Sequence, residues 1–140
     1  MSSRLFDIAL TQYGVHEIPG KLNNPEVMKY YHDTGRKWVD SETTPWCDAF
    51  IDWCCWKIGL EFTDGLYARQ WLEHCSKVES IEEADLVAYW RVSPDSWMGH
   101  ISIPIVEREH LIFSLGGNQG DMVQISPYYM NRKLAYLKLP

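Results

Sequence analysis

The chain has 140 residues, of which 46% are hydrophobic and 14% aromatic, enough apolar material for one domain with one core. Its 13 basic and 19 acidic residues give a formal net charge of −6. This charge argues against a nucleic-acid partner, which requires a basic face. No linker, repeat or low-complexity segment divides the sequence, so we predict a single domain over residues 1–140.

The first residues contain Asp7 and no apolar run of signal-peptide length, and no run of about 18 apolar residues occurs anywhere. We therefore expect synthesis in the cytoplasm, with neither a signal peptide nor a transmembrane segment. The four cysteines, at positions 47, 54, 55 and 75, are expected to stay reduced there.

Helical periodicity marks the first half of the chain. The first apolar stripe consists of Leu5, Ile8, Ala9 and Tyr13. Gly14 suits the end of this helix, and Asn24 followed by Pro25 predicts the start of a second helix that Gly35 ends. A further short helix is expected within residues 67–72.

Thr44 and Pro45 repeat the helix-start signature, which places Cys47 at the third helical position. The apolar stripe of this helix is Cys47, Phe50, Ile51, Cys54, Cys55 and Ile58, and Gly59 ends it. A first helical turn offers unpaired N–H groups and partial positive charge, both of which favour a thiolate. Cys47 is therefore a candidate nucleophile; the alternative is an inert core cysteine.

The second half changes to period two, which is typical of strands. The predicted strands cover residues 86–90, 100–106, 111–115, 122–126 and 134–139. Pro104 cannot donate to a ladder, so its strand is expected to lie at an edge or to bulge there. Helices followed by antiparallel strands predict an α+β domain.

His100 is the candidate base among five histidines. It follows Gly99, opens a strand and points to the face opposite Ile101, where it could meet a helix packed across the sheet. A polar residue with no role at a strand start is the alternative. The remaining histidines are expected at helix ends or in a charged turn, on the surface: His16, His32, His74 and His110.

Asn118 is the candidate for the residue that orients the imidazole. A hairpin of residues 100–106 and 111–118 would place it opposite His100, and Gly116-Gly117 would permit a close backbone approach or simply form a turn. The backbone N–H of Cys47 is a natural oxyanion donor. Gln119 or the 41–46 loop would supply the second.

Glu17, Trp46, Trp97 and Gln119 are the candidate substrate-binding residues. Glu17 lies in a turn and could cap buried backbone or contact substrate. Trp97 lies in a loop that ends at His100, where an exposed aromatic ring could line a groove for a sugar or a peptide.

Together these segments resemble the NlpC- and CHAP-type cysteine peptidases, in particular their short single-domain phage and bacterial members. The resemblance runs from about residue 5 to the end of the chain. The matching stretches are residues 14–20, 24–25, 45–50, 68–71, 85–91, 99–101 and 115–119. Two departures are Ala84, where the family usually has glycine before Asp85, and Gly116, where CHAP relatives often carry glutamate.

The resemblance implies a papain-like core in which a helix carries Cys47 and an antiparallel sheet carries His100, with Asn118 as the third residue. It implies hydrolysis of a peptidoglycan amide, by an N-acetylmuramoyl-L-alanine amidase or a stem-peptide endopeptidase. This chemistry requires no metal or organic cofactor.

Two biological settings fit this expectation equally: a phage lysin released by a holin, and a secreted antibacterial effector with a cognate immunity protein. Two other classes of function stay open. One is an inactive wall-binding module of the same fold, and the other is a zinc protein built on Cys54, Cys55 and Cys75.

Overall fold

Helices come first and antiparallel strands second, which confirms the α+β prediction. The computed structural model describes residues 3–18, 23–39, 46–63 and 67–140. Within these ranges the helices are α1 (Ser3–Leu10), α2 (Pro25–His32), α3 (Cys47–Lys57) and α4 (Trp71–His74), the last preceded by a 3-10 turn at Ala68–Gln70. Among these helices, none combines the length and the apolar character that a bilayer crossing requires.

One six-stranded sheet packs against the helices, in the order β1-β6-β2-β3-β4-β5. Its strands are β1 (Ser76–Val78), β2 (Leu86–Trp90), β3 (Gly99–Arg108), β4 (Leu111–Gln119), β5 (Met122–Tyr129) and β6 (Lys133–Lys138). Sequence patterning missed β1 because it is only three residues long and its first two side chains are exposed.

Local signals explain most of the helix ends. The Asn24 side chain accepts a hydrogen bond of 3.0 Å from the Glu26 N–H, so it caps α2 as predicted. Gly35 and Gly59 have φ of +95° and +76° just after α2 and α3. Gly14 does not end α1, which stops at Leu10; its N–H instead donates to the Val123 carbonyl at 2.8 Å and ties the segment to β5.

The start of α3 differs from the prediction. Trp46 is the N-cap and Cys47 is the first helical residue, not the third. Thr44 and Pro45, on which the prediction depended, lie outside the described residues. Every residue from 47 to 55 is buried, in the predicted apolar stripe and outside it, because this part of α3 is enclosed on all sides; Ile58, the last member of the stripe, is only partly buried.

The two faces of the sheet carry separate apolar clusters. The α3 face includes Ile101 and Ile103 of β3, which belong to the same buried cluster as Cys47 and Phe50. The opposite face is packed around tyrosines and short aliphatic residues, namely Ala84, Val87, Tyr89, Ile112 and Tyr136. Residue parity along β3 therefore decides which cluster each side chain joins.

Pro104 lies in an interior strand, because β3 has β2 on one side and β4 on the other. The β3–β4 register shifts between Pro104 and Val106. The sequence predicted either an edge strand or a bulge at Pro104, and the bulge is correct. The register shift lies where proline has no N–H to donate to the neighbouring strand.

A buried ionic cluster fixes the first turns of α3. The Arg36 guanidinium lies 2.7 Å from an Asp52 carboxylate oxygen and 3.4 Å from one of Asp48. The Thr63 backbone N–H donates to Asp52 at 3.0 Å and its hydroxyl to Asp48 at 3.2 Å, and the Trp71 indole donates to Asp48 at 2.5 Å. All three charged side chains are at most 5% exposed.

Burial raises the pKa of both carboxyl groups in this cluster, and the charge of Asp48 raises that of Asp52 further. We infer that one proton stays on the pair, so that Arg36 faces a single negative charge and the cluster is neutral overall.

We predict that Arg36→Met lowers the free energy of unfolding by about 3–5 kcal/mol, because it leaves two buried carboxyl groups without their cation. Urea denaturation measures this loss. Arg108 is exposed, so the matched change Arg108→Met should stay within about 0.5 kcal/mol of wild type. Equal effects of the two substitutions would contradict the role of the cluster.

Candidate active site

The Cys47 thiol lies at the point where α3 meets β3. Backbone N–H groups of Ile101 and Asp48 hydrogen-bond to its sulfur. The paired register of β3 and β4 begins at Ile103 opposite Leu115, so Ile101 lies beyond it. The thiol therefore approaches β3 where the ladder to β4 has ended.

His100 precedes Ile101 on β3, and its side chain projects from the opposite face of the sheet, as predicted. It does not face a helix there, because the helices pack on the Ile101 face. Instead the imidazole stacks on Tyr128 and Tyr89, with ring centroids 5.2 and 6.3 Å away. The Tyr128 hydroxyl lies 3.1 Å from Nε2.

Gln119 determines the tautomer of His100. Its amide nitrogen donates to the carbonyls of Ser114 and Gln124, at 3.1 and 2.6 Å. Both amide hydrogens are thereby used, so Oε1 is the atom directed at His100, 2.9 Å from Nε2. An amide oxygen only accepts, so Nε2 carries the proton and Nδ1 keeps a free lone pair.

The contact predicted for Asn118 is thus made by its neighbour. The β4–β5 register shifts by one between Gly116 and Gln119, and Asn118 itself has φ of +56°. This irregularity turns the Gln119 side chain toward His100. Asn118 lines the same cavity as the imidazole, without a hydrogen bond to it in the described structure.

Two reasons were predicted for Gly116 and Gly117: a close approach of the backbone to its neighbours, or a turn. The close approach is the one observed, because the residue with positive φ is Asn118 and not either glycine. A Cβ at Gly117 would lie 2.7 Å from the Phe50 Cβ and 2.9 Å from a Trp46 ring carbon. A Cβ at Gly116 would lie 2.6 Å from the Gln119 Oε1. Gly116 therefore leaves room for the Gln119 side chain, and Gly117 lets α3 pack closely against β4.

Burial determines the resting protonation states. It raises the pKa of Cys47 to about 11, more than the two backbone N–H donors lower it. It also lowers the pKa of His100 to about 4, although the Gln119 hydrogen bond raises it. The expected thiolate is therefore not the resting form at neutral pH: the thiol and the imidazole are both uncharged.

A cavity of about 240 Å³ opens on the His100 side of the sheet. His100, Gln119, Asn118 and Tyr128 line it, together with Arg91 and Arg132. The charge of Arg91 lowers the pKa of both Cys47 and His100, so this guanidinium acts on both candidate reacting groups. Sequence reasoning assigned no role to the two arginines or to Tyr128, because they lie on separate segments that only the fold brings together.

The residues predicted to bind substrate lie in different environments in the structure. Trp46 is fully buried and stacks on Tyr30, so we assign it to the core rather than to substrate binding. Trp97 is 69% exposed and meets Tyr67 edge to face in a second cavity of about 480 Å³. Glu17 is half-buried, and its backbone N–H donates to the Asp121 carbonyl.

A bridge connects the Trp97 loop to β3. The Arg69 guanidinium donates to the carbonyls of Ser93, Pro94 and Met98, which holds residues 93–98 in place. The Arg69 Cγ lies so close to Gly99, the residue before His100, that a Cβ added there would be 3.0 Å from it. The second cavity therefore adjoins the strand that carries the imidazole.

The other three cysteines do not form a comparable site. Cys54 and Cys55 are buried in the core, and burial raises the pKa of all three thiols, that of Cys75 to about 12. In the described part of the chain, no group of three or more His, Cys, Asp and Glu side chains could hold a metal. The zinc alternative has no ligand set there.

We predict that the imidazole proton of His100 resides on Nε2 and exchanges slowly while Gln119 is present. ¹⁵N–¹H NMR of the ring should show this proton in wild type and in Asn118→Gly, which keeps the positive φ. Gln119→Met should speed its exchange with solvent, because the amide acceptor at 2.9 Å is gone. A proton on Nδ1 would contradict this tautomer, and a loss confined to Asn118→Gly would restore Asn118 as the partner.

We also predict that alkylation of Cys47 by iodoacetamide rises about tenfold per pH unit from about pH 5 to 9, because only the thiolate reacts and its fraction grows toward a pKa of about 11. Peptide mass spectrometry should find Cys47 modified before Cys54, Cys55 and Cys75. A rate that is flat from acidic pH would instead reveal a resting thiolate–imidazolium pair.

No protein-family model matches the chain, and neither the curated proteins nor the solved structures include a match. The assignment of the site therefore depends on its own geometry. That geometry is a buried thiol at a helix start, against the backbone of β3 at Ile101, and an imidazole at the preceding residue, His100, on the opposite face of the strand, whose tautomer Gln119 determines.

Proposed function

We propose that the chain is a cysteine hydrolase of peptidoglycan amides, as its resemblance to NlpC- and CHAP-type peptidases implies. One observation carries the proposal: Gln119 fixes the proton of His100 on Nε2, which leaves Nδ1 as a base. The next residue, Ile101, binds the thiol of Cys47 through its N–H. A nucleophile, a base and an orienting group are the three parts that thiol catalysis requires.

Acylation starts from two neutral groups. The Cys47 sulfur attacks the amide carbonyl while the thiol proton passes to Nδ1 of His100, so charge separates only as the S–C bond forms. The imidazolium then gives that proton to the leaving amine as the C–N bond breaks. A thioester on Cys47 and a free amine are the products of this half-reaction.

Deacylation uses the same base. His100 takes a proton from water, whose oxygen attacks the thioester, and returns it to the sulfur as the C–S bond breaks. The backbone N–H of Cys47, as the first residue of α3, has no intrahelical acceptor and suits the developing oxyanion.

Peptidoglycan is the proposed substrate because the cavities suit an extended polymer with both sugar and peptide parts. The Trp97–Tyr67 pair offers aromatic faces for a sugar or an apolar side chain. The cavity at His100 offers polar and cationic groups for a peptide. A carbohydrate–peptide polymer could occupy both regions, since Arg69 and Gly99 connect them.

The alternative function is an inactive wall-binding module of the same fold. The specific placement of the Gln119 amide against His100 favours catalysis, because recognition alone needs no defined tautomer. Turnover of purified peptidoglycan separates the two, since a binding module would sediment with the wall and release nothing.

We predict that the purified protein releases soluble fragments from peptidoglycan and that Cys47→Ala reduces the release by at least about 10⁴-fold, because the attacking atom is gone. Mass spectrometry of the fragments identifies the new termini and hence the bond cut. Cys75→Ala is the matched control, and it should retain activity. Undiminished lysis by Cys47→Ala would refute the proposal, as would wall binding without release by the wild type.

A further inference from the structure

We propose, on the basis of the hydrolase function above, that Arg91 and Arg132 form a subsite for a free carboxylate on the substrate residue next to the scissile amide. Both guanidinium side chains line the cavity that contains His100 and Asn118. No aspartate or glutamate is among the described residues that line it. In a chain with 19 acidic and 13 basic residues, this is a local excess of positive charge.

Neither arginine is neutralised within the described structure. The ion pairs found there join Lys29 to Glu26, and Arg36 to Asp48 and Asp52. Two unpaired guanidinium groups at one cavity repel each other, and an anion between them removes that repulsion. A carboxylate is the natural anion, because its two oxygens match the paired N–H donors of arginine.

The Arg132 side chain is positioned by contact with Trp90. Its guanidinium lies over the Trp90 ring, 4.7 Å from the centroid. The Trp90 indole in turn donates to the Asn131 carbonyl at 3.1 Å, which ties the ring to the turn that carries Arg132. Stacking occupies the face of the guanidinium and leaves its edge donors free, so binding costs little side-chain entropy.

Arg91 connects the subsite to the strand segment that carries the candidate base. Arg91 follows β2 directly. Its backbone N–H donates to the Met98 carbonyl, at the end of the loop that leads to His100. A carboxylate bound here would belong to a residue flanking the amide that Cys47 attacks. Stem peptides carry such a group wherever a glutamyl residue is linked through its side chain.

The test uses an alanyl-γ-glutamyl-lysine tripeptide and its analogue in which the glutamyl α-carboxylate is a carboxamide. NMR titration of Cys47→Ala, which cannot turn over, gives both dissociation constants. We expect at least about tenfold tighter binding of the carboxylate form, the scale of a charge-assisted hydrogen bond. Adding Arg91→Gln and Arg132→Gln should bring the ratio close to one, whereas adding Arg108→Gln should leave it unchanged.

Equal affinities in the arginine-intact protein, a ratio that survives loss of both arginines, or binding of neither peptide would overturn the subsite. The two proposals fail separately. Selective binding of the carboxylate peptide, without turnover of the wall by the wild type, would refute only the hydrolase function. Turnover with no preference for the carboxylate would sink only the subsite.

Discussion

The site depends on how closely β4 approaches α3. At Gly117 the strand backbone lies so near the helix that an added Cβ would be 2.7 Å from Phe50. Because the chain passes this point without side chains and then shifts register, β4 ends its pairing with β3 before it reaches Ile101. The Cys47 thiol on one face and the His100 imidazole on the other both lie at the stretch of β3 that pairs with β2 but has lost β4 as its neighbour.

Burial then determines the electrostatics. The Cys47 thiol and the His100 imidazole are nearly inaccessible, so each is most stable without charge. The proposed reaction accordingly moves a proton with the attack rather than beforehand. The ionic cluster around Asp48 anchors the residue next to the nucleophile.

Residue order was enough to predict much of the fold. Period-two alternation located five of the six strands, and the Asn24 cap located α2, because these signals are local. The start of α3 was misplaced by two residues, and the partner of His100 by one. The second error has a clear cause: a bulge shifts every later side chain by one position, and only tertiary packing reveals it. Asn118, a residue type that tolerates positive φ, was the only sequence hint of that bulge.

The remaining groups of the site come from distant segments that only the topology brings together. Tyr128, Arg91 and Arg132 reach the His100 cavity from β5, from the end of β2 and from the turn before β6. No spacing rule connects them. Trp46 shows the opposite error, since a tryptophan beside the candidate nucleophile suggested substrate contact but is part of the core.

The central claim, that Cys47 forms a covalent acyl intermediate with His100 as its base, is tested most directly by acid quenching during turnover of a muropeptide. Intact-mass and peptide mass spectrometry would then locate any acyl group. The account predicts an acyl adduct on the peptide containing Cys47. Product formation with no adduct at Cys47, or an adduct on another cysteine, would contradict it.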